Sequence, residues 1–183
     1  MRLADPVPPI TAGTIDTPLG PMLALLDATG ALIGLDFEDG DGTPTFSQRR
    51  VARQGLQTGP AGPVALRPVA DQLAEYFAGR RRVFDLPMAP FGTPFQRLVW
   101  AALCDIPCGT VLTYRDMALR LDRPQAARAV GAANGANPIS VVVPCHRLVG
   151  SDGTLTAYGG GLHRKAALLE LEGARPPALV LAV

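Results

Sequence analysis

No stretch of this 183-residue chain approaches the ~20 consecutive apolar residues that a bilayer-spanning helix needs. Its opening residues, Met1-Arg2-Leu3-Ala4-Asp5-Pro6, hold no apolar core of a secretory signal. Cysteine is scarce: Cys104, Cys108 and Cys145 are the whole complement, and the first 103 residues have none. An odd count confined to one half makes a poor disulfide framework and suits a reducing compartment, so a cytoplasmic location is expected. Histidine is scarcer still. A four-ligand zinc site built on Cys104-x3-Cys108 would have to recruit both His146 and His163, which argues against one. Lysine occurs once, Lys165, against 16 arginines, which reads as a composition bias. The 20 glycines and 18 prolines follow no repeat, which excludes a collagen-like chain. What is present, 48% apolar residues, leaves room for one ordinary domain or two small ones with a real core.

There is also no large excess of charge of one sign. The net charge of +1 argues against a strong polyanion binder, but the distribution is uneven. Residues 1–90 carry eight basic and ten acidic side chains, residues 91–183 nine and six. Within Arg115–Arg128 four arginines face Asp116 and Asp122. Such a stripe permits nucleic-acid contact, and a solvated helix face would look the same.

Ala12–Thr17, Met22–Leu26 and Ala31–Phe37 read as strands, separated by the turn signals Pro18–Pro21 and Asp27–Gly30. Glu38–Thr45 is an acidic, glycine-rich loop, and 47–63 is polar without a convincing period. From Pro68 the period becomes helical, with Val69, Leu73, Tyr76 and Phe77 on one face and an end near Gly79. Val83–Pro87 reads as one more short strand. Pro90–Pro94 breaks the chain, and the boundary is placed there: a β-rich structural domain at 1–90, a second domain at 91–175 and a tail at 176–183.

The second half is helical in character. Thr93 is an N-cap with Pro94 at the first helical position, and Phe95, Leu98, Val99, Ala102 and Leu103 form a buried stripe. Thr113 caps a helix through Arg120, Leu121–Arg123 turns, and Pro124 opens another helix to about Asn134, a helix-turn-helix spacing. The expected fold is α+β. A small N-terminal antiparallel β-sheet domain with a helix precedes a mainly helical C-terminal domain that holds the helix-turn-helix and Cys145. The second of the paired helices is smooth, with Ala126, Ala127, Ala129, Gly131, Ala132 and Ala133 leaving Arg128 and Val130 as the bulky residues. That surface suits tight helix–helix packing. It also suits close approach to a narrow groove walled by phosphates, with Arg128 beside the positive end of the helix dipole.

Asn137-Pro138-Ile139-Ser140-Val141-Val142-Val143-Pro144-Cys145-His146-Arg147 carries the most chemical information. Its apolar run is too short for a helix and should be buried, which delivers Cys145 inside the protein. A thiol there is either core filler or a nucleophile. A nucleophile needs its thiolate, favoured by a nearby base and positive electrostatics. In an extended strand, Cys145 and His146 would point to opposite faces, so contact requires a turn or a bridging water. A third group should fix the imidazole tautomer, and Glu170 and Glu172 are the candidates.

Pro144–Arg147, with Asn137-Pro138 upstream and Tyr158-x-Gly160-Gly161-Leu162 downstream, resembles the O6-alkylguanine-DNA alkyltransferases. The resemblance extends through Gly92–Gln96 with Val99-Trp100, Ile106-Pro107-x-Gly109, Tyr114-Arg115, Ala127–Gly131 and Leu168-Leu169-x-x-Glu172-Gly173. It runs nearly continuously over residues 90–175. It implies that Cys145 accepts an alkyl group from guanine O6 in double-stranded DNA, with thymine O4 left open, through a cysteine–water–histidine–glutamate relay of Cys145, His146 and Glu172. Asn137 would support the active-site turn, and Tyr114 would donate a hydrogen bond to guanine N3. Backbone groups around Leu148 and Gly159, with the ring of Tyr158, would hold the base, and Lys165 would lie near the cysteine loop. Gln125, Ala126, Ala127, Ala129 and Gly131 would line the minor groove, with Arg128 in the space of the departed base. One turnover per molecule, no metal and no organic cofactor are implied. No membrane and no obligate protein partner are implied either, and assembly of several copies along DNA is left open.

Ser140, Gly159 and Cys108 depart from residues common in relatives; the first two bear on alkyl-group size. Three alternatives make different demands. A non-catalytic alkyltransferase-like recognition protein would lack the acceptor thiol that Cys145 supplies. A cysteine hydrolase leaves the smooth helix unexplained. A helix-turn-helix regulator should present polar base-reading side chains where this helix has Ala and Gly.

Overall fold

The computed structural model describes residues 10–174, so the expected 176–183 tail and the first nine residues lie outside it. Three strands, β1 (Ile10–Ile15), β2 (Met22–Leu26) and β3 (Leu32–Phe37), pair antiparallel in chain order as expected. All five residues of β2 are buried because both sheet faces are covered. Met22, Ala24 and Leu26 join Leu66, Val69, Leu73 and Tyr76 of helix α2 (Pro63–Phe77), while Leu23 and Leu25 join Val51 of helix α1 (Phe46–Arg53). A Cβ on Gly34 would come within 2.5 Å of Ser47 Cβ, so glycine there lets α1 lie close on β3.

Four local expectations need correction. The sheet is mixed, because β4 (Thr58–Pro60) adds in parallel to β1, with Ile10 opposite Thr58. Its residues are all exposed, so no apolar alternation marked it. The segment 47–63 also contains α1, held by a capping box between Thr45 and Gln48 rather than by a broad apolar stripe. Helix α2 starts at Pro63, five residues before the expected Pro68, which sits inside it. Val83–Pro87 is not a strand. Pro87 has no N–H to give a ladder, the Asp85 backbone pairs with the Gln72 side chain, and only Met88 bridges Leu32.

The second half follows its caps. Thr93 and Thr113 each form a capping box, with Gln96 on α3 (Pro94–Cys104) and with Asp116 on α4 (Tyr114–Arg120). Helix α5 (Ala127–Gly135) begins three residues after Pro124, leaving Gln125 and Ala126 in the preceding turn. Helices α3 and α4 both pack on α5, and the short strands β5 (Leu112–Thr113) and β6 (Leu148–Val149) pair in parallel. Helix α6 (Leu162–Leu171) follows and ends with Glu172 as its C-cap residue.

The two halves meet at the cysteine loop. Leu35 N donates to Pro138 O at 2.7 Å, Ser140 N donates to Leu35 O at 2.8 Å, and Ser47 Oγ donates to Pro138 O. The apolar run that follows turns instead of extending: Val141 takes φ +70°, a costly conformation for a β-branched residue. That turn is fixed by the first half's sheet on one side and by Asn137 on the other.

Candidate active site

Cys145, His146 and Arg147 form one turn of 3-10 helix, so the adjacent thiol and imidazole need not diverge as they would in a strand. Cys145 is 5% exposed and lines a cleft of about 210 Å³. Asn137 Nδ2 donates to Cys145 Sγ at 3.0 Å and to Val143 O at 2.9 Å, while its Oδ1 accepts from Ile139 N. Asn134 Nδ2 donates to Cys145 O at 3.3 Å. Burial pushes the thiol up to about 11; the Asn137 hydrogen bond and the Lys165 charge pull against it. The resting residue at neutral pH is therefore a thiol, and its proton must be removed for reaction.

His146 is fully buried. Its Nε2 lies 2.9 Å from Glu172 Oε1, which as an acceptor fixes the proton on Nε2. Nδ1 has no partner among the described residues and is left as the basic nitrogen. Burial lowers the imidazole pKa more than Glu172 raises it, so His146 is neutral at rest. Glu172, with its side chain 1% exposed, is the residue of the Glu170/Glu172 pair that does this; Glu170 is exposed. Burial would raise its carboxyl, but hydrogen bonds and charge from His146 and Arg147 outweigh that and hold it well below the usual range. Arg147 grips both oxygens, Nε to Oε2 at 2.9 Å and Nη2 to Oε1 at 2.8 Å, and anchors its third nitrogen on Ile106 O. Tyr76 OH donates to Oε1 at 2.8 Å and Gly109 N to Oε2 at 3.3 Å. Gly109 lies at φ +83°, where a Cβ would come within 2.8 Å of Glu172 O, so only glycine brings this N–H to the carboxylate.

Tyr158, Gly159 and Ser140 line the same cleft as Cys145, with residues of the first half including Asp36, Thr45, Phe46 and Arg49. A Cβ on Gly159 would meet nothing within 4 Å, so that wall is open. Lys165 is completely buried and donates to Leu148 O at 2.6 Å and Thr156 O at 3.0 Å; burial lowers it to about 8. Its work is to tie β6 to the 156 segment while placing positive charge near the thiol. Tyr114 pairs with Thr156 Oγ1 at 2.8 Å, near enough to Cys145 for a thiolate there to raise its hydroxyl pKa. Its ring lies 3.7 Å from where a Gly131 Cβ would stand, so the smooth face of α5 begins beside it. On that face Arg128 and Ala129 are exposed, as is Gln125 in the preceding turn; Ala126, Ala127 and Gly131 are half-buried.

Two models of the same family match the chain. The ribonuclease-like domain of 6-O-methylguanine DNA methyltransferase matches residues 10–90, and the DNA binding domain matches residues 94–174. A methylated-DNA–protein-cysteine methyltransferase of Shigella flexneri is 46% identical over 171 residues, which span 87% of this chain and 93% of that protein. The chain belongs to this methyltransferase family. A Mycobacterium bovis methylated-DNA–protein-cysteine methyltransferase is 44% identical over 165 residues, covering 90% and 93% of the two chains. The crystal structure of Mycobacterium tuberculosis O6-methylguanine methyltransferase matches with TM-score 0.75 at 42% identity, covering 92% of this chain and 96% of its own. That of Mycobacterium tuberculosis OGT in complex with DNA gives 0.74 at 41%, covering 88% and 92%.

In this methyltransferase-family chain the structure sets two hydrogen-bonded pairs on successive residues, Cys145 with Asn137 and His146 with Glu172, and places Tyr158 and Gly159 on the cleft wall. It keeps Tyr114, Arg128 and the smooth helix on a neighbouring face. Sequence reasoning missed the contributions of Tyr76, Asn134 and Asp36. Tyr76 shows in the sequence only as one more apolar position of a helix face. Asp36, 8% exposed in the cleft, has its carboxyl raised by burial against hydrogen bonds from Ser47 and Thr45. It sits in a strand with no polar neighbour to mark it.

Proposed function

We propose that this protein repairs DNA directly, moving an alkyl group from guanine O6 to Cys145 once per molecule. The observation that carries the reading is a neutral imidazole whose Nε2–H is held by Glu172 and whose Nδ1 is unpartnered among the described residues, adjacent to a buried thiol that opens on a cleft. His146 Nδ1 accepts the Cys145 proton through a bridging water. Sγ then forms a bond to the alkyl carbon as the C–O6 bond breaks, and the electron pair of that bond goes to the guanine. Tyr114, whose hydroxyl burial keeps protonated, donates to guanine N3 and stabilises the departing base. Glu172 stabilises the imidazolium without taking its proton, because the carboxylate already accepts from Arg147 and Tyr76.

A thiol this enclosed cannot meet O6 of a stacked base, so the nucleotide must rotate out of the duplex. The smooth surface of Gln125, Ala126, Ala127, Ala129 and Gly131 lies in the minor groove, with Arg128 filling the vacated space. Leu148 and Gly159 backbone groups and the Tyr158 ring hold the everted base. In this reading residues 1–90 are a structural domain, residues 91–175 bind DNA and accept the alkyl group, and the protein works in the cytoplasm on double-stranded DNA containing O6-alkylguanine. The thioether product leaves no route back to the thiol, so the reaction is stoichiometric. Intact-protein mass after incubation with an O6-methylguanine duplex should rise by ~14 Da, one methyl replacing one hydrogen on the nucleophile. The adduct should map to Cys145 and be absent from Cys145→Ser. Product beyond one equivalent, or an adduct elsewhere, defeats the reading.

A further inference from the structure

The carboxylate of Glu172 is reached from three directions, and one of them is the first half of the chain. The α6 backbone carries Glu172, and the cysteine turn brings His146 and Arg147 to it. From α2, Tyr76 donates its hydroxyl to Oε1, the same oxygen that His146 Nε2 contacts. Nothing in the packing of Tyr76 requires an oxygen there. Its ring is 2% exposed and edges Phe77 and Phe84 at 5.3 Å, as a phenylalanine ring could. We infer that Tyr76 is a positioning residue of the transfer reaction, its hydroxyl setting how strongly Glu172 draws on His146. This rests on the relay proposed above.

The physical argument is one of competition. A carboxylate offers about four lone-pair sites. Here Oε1 accepts from His146, Arg147 and Tyr76, and Oε2 from Arg147 and Gly109. Each added donor disperses the negative charge that would otherwise stabilise an imidazolium. Tyr76 therefore adds to the burial that keeps His146 a free base at neutral pH, ready to take the thiol proton. Burial and the nearby carboxylate raise the Tyr76 hydroxyl far above its ordinary range, so it remains a donor at every working pH. The other groups facing His146 are Arg147 and Cys145 on its own turn, Lys165 on α6, and the Tyr158 ring at 6.5 Å. Cys108, Arg81 and Arg82 share the small recess behind Tyr76 and Glu172. None of these donates a hydrogen bond to Oε1 except Arg147, which is bound to the carboxylate through two nitrogens and cannot substitute for the hydroxyl.

The test is the single-turnover alkyl-transfer rate as a function of pH, measured on an O6-methylguanine duplex with full-length wild type, Tyr76→Phe, His146→Ala and Phe84→Leu. With the hydroxyl gone, Glu172 binds His146 more strongly and imidazolium persists to higher pH. The acid limb of the Tyr76→Phe profile should move up by about half to one pH unit. Phe84→Leu loosens the packing around the ring and keeps the oxygen, so it should lower the melting temperature and leave the limb in place. An unmoved limb in Tyr76→Phe, or an equal shift in Phe84→Leu, overturns the role of Tyr76 while leaving the relay standing. A limb that survives intact in His146→Ala overturns the relay, and this inference with it.

Discussion

Leu35 and Ile139 are paired as in a parallel ladder, although one lies in the first sheet and the other in the loop that carries the acceptor cysteine. Backbone hydrogen bonds on either side of Ile139 make this more than a packing contact, because they set the direction in which the loop enters its turn. The first half of the chain thereby reaches the cysteine loop through β3 and the Glu172 carboxylate through Tyr76.

Disturbing that ladder should therefore cost both stability and rate. In Gly34→Val the new side chain collides with Ser47 and pushes on Leu25. Overpacking of this kind costs about 1–3 kcal/mol, or roughly 2–4 °C of melting temperature per kcal/mol for a chain this size. The expected outcome is a lower Tm by calorimetry together with slower transfer to Cys145.

Asn137→Ala removes the donor to Sγ and leaves the Ile139 amide without its partner, while Val143 O keeps only the Cys145 amide. The orphaned amide costs about 1–3 kcal/mol, and loss of the bond to sulfur raises the thiol further. Transfer at pH 7.5 should slow by about tenfold or more for each ~1.4 kcal/mol lost from the reacting state, with a fall in Tm. A variant with wild-type rate would show that the amide is not used.

Acid should destabilise the fold through His146 and Glu172. His146 has a depressed pKa in the folded state, so protonation of the unfolded chain begins to win as pH falls below its ordinary value near 6.5. Glu172 is also depressed, so the stability it contributes is present above its ordinary value near 4.5 and is lost as pH falls from there. Melting temperature should fall continuously from pH 6.5 to pH 4. Glu172→Gln should flatten the lower part of that slope. At pH 7.5 it should be less stable by about 3–5 kcal/mol, because Arg147 is left buried without its counter-charge.

Arg128→Ala separates extrusion from chemistry. The side chain is exposed on α5, away from the cleft wall. Reaction with a modified base in duplex DNA should fall by roughly tenfold or more, the effect of losing ~1.4 kcal/mol or more, while reaction with the free modified base is unchanged. Equal loss on both substrates would remove Arg128 from the extrusion step.

Much of the fold was legible because it rests on local signals. Thr93 and Thr113 announce α3 and α4, since a hydroxyl three residues before Gln96 or Asp116 satisfies N–H groups that only a helix start leaves free. The strands β1–β3 were readable from their turns. Helix α1 and β4 were not, because α1 presents Arg49, Arg50 and Arg53 with few apolar residues, and β4 depends on a partner strand more than forty residues away. The site divides in the same way. Cys145, His146 and Asn137 sit within ten residues and were visible as a unit. The choice of Glu172 over Glu170 depends on which side of α6 faces the cysteine turn. The Tyr76 contact spans 96 positions of sequence, and no local pattern encodes it.

The single lysine has a practical corollary. With Lys165 wholly enclosed and its nitrogen committed to two carbonyls, the folded surface offers acylating dyes, aldehyde cross-linkers and amine-coupling resins no side-chain amine. Side-chain labelling by such reagents thus becomes a gauge of opening around the acceptor loop, since whatever frees that amine must first release Leu148 and Thr156.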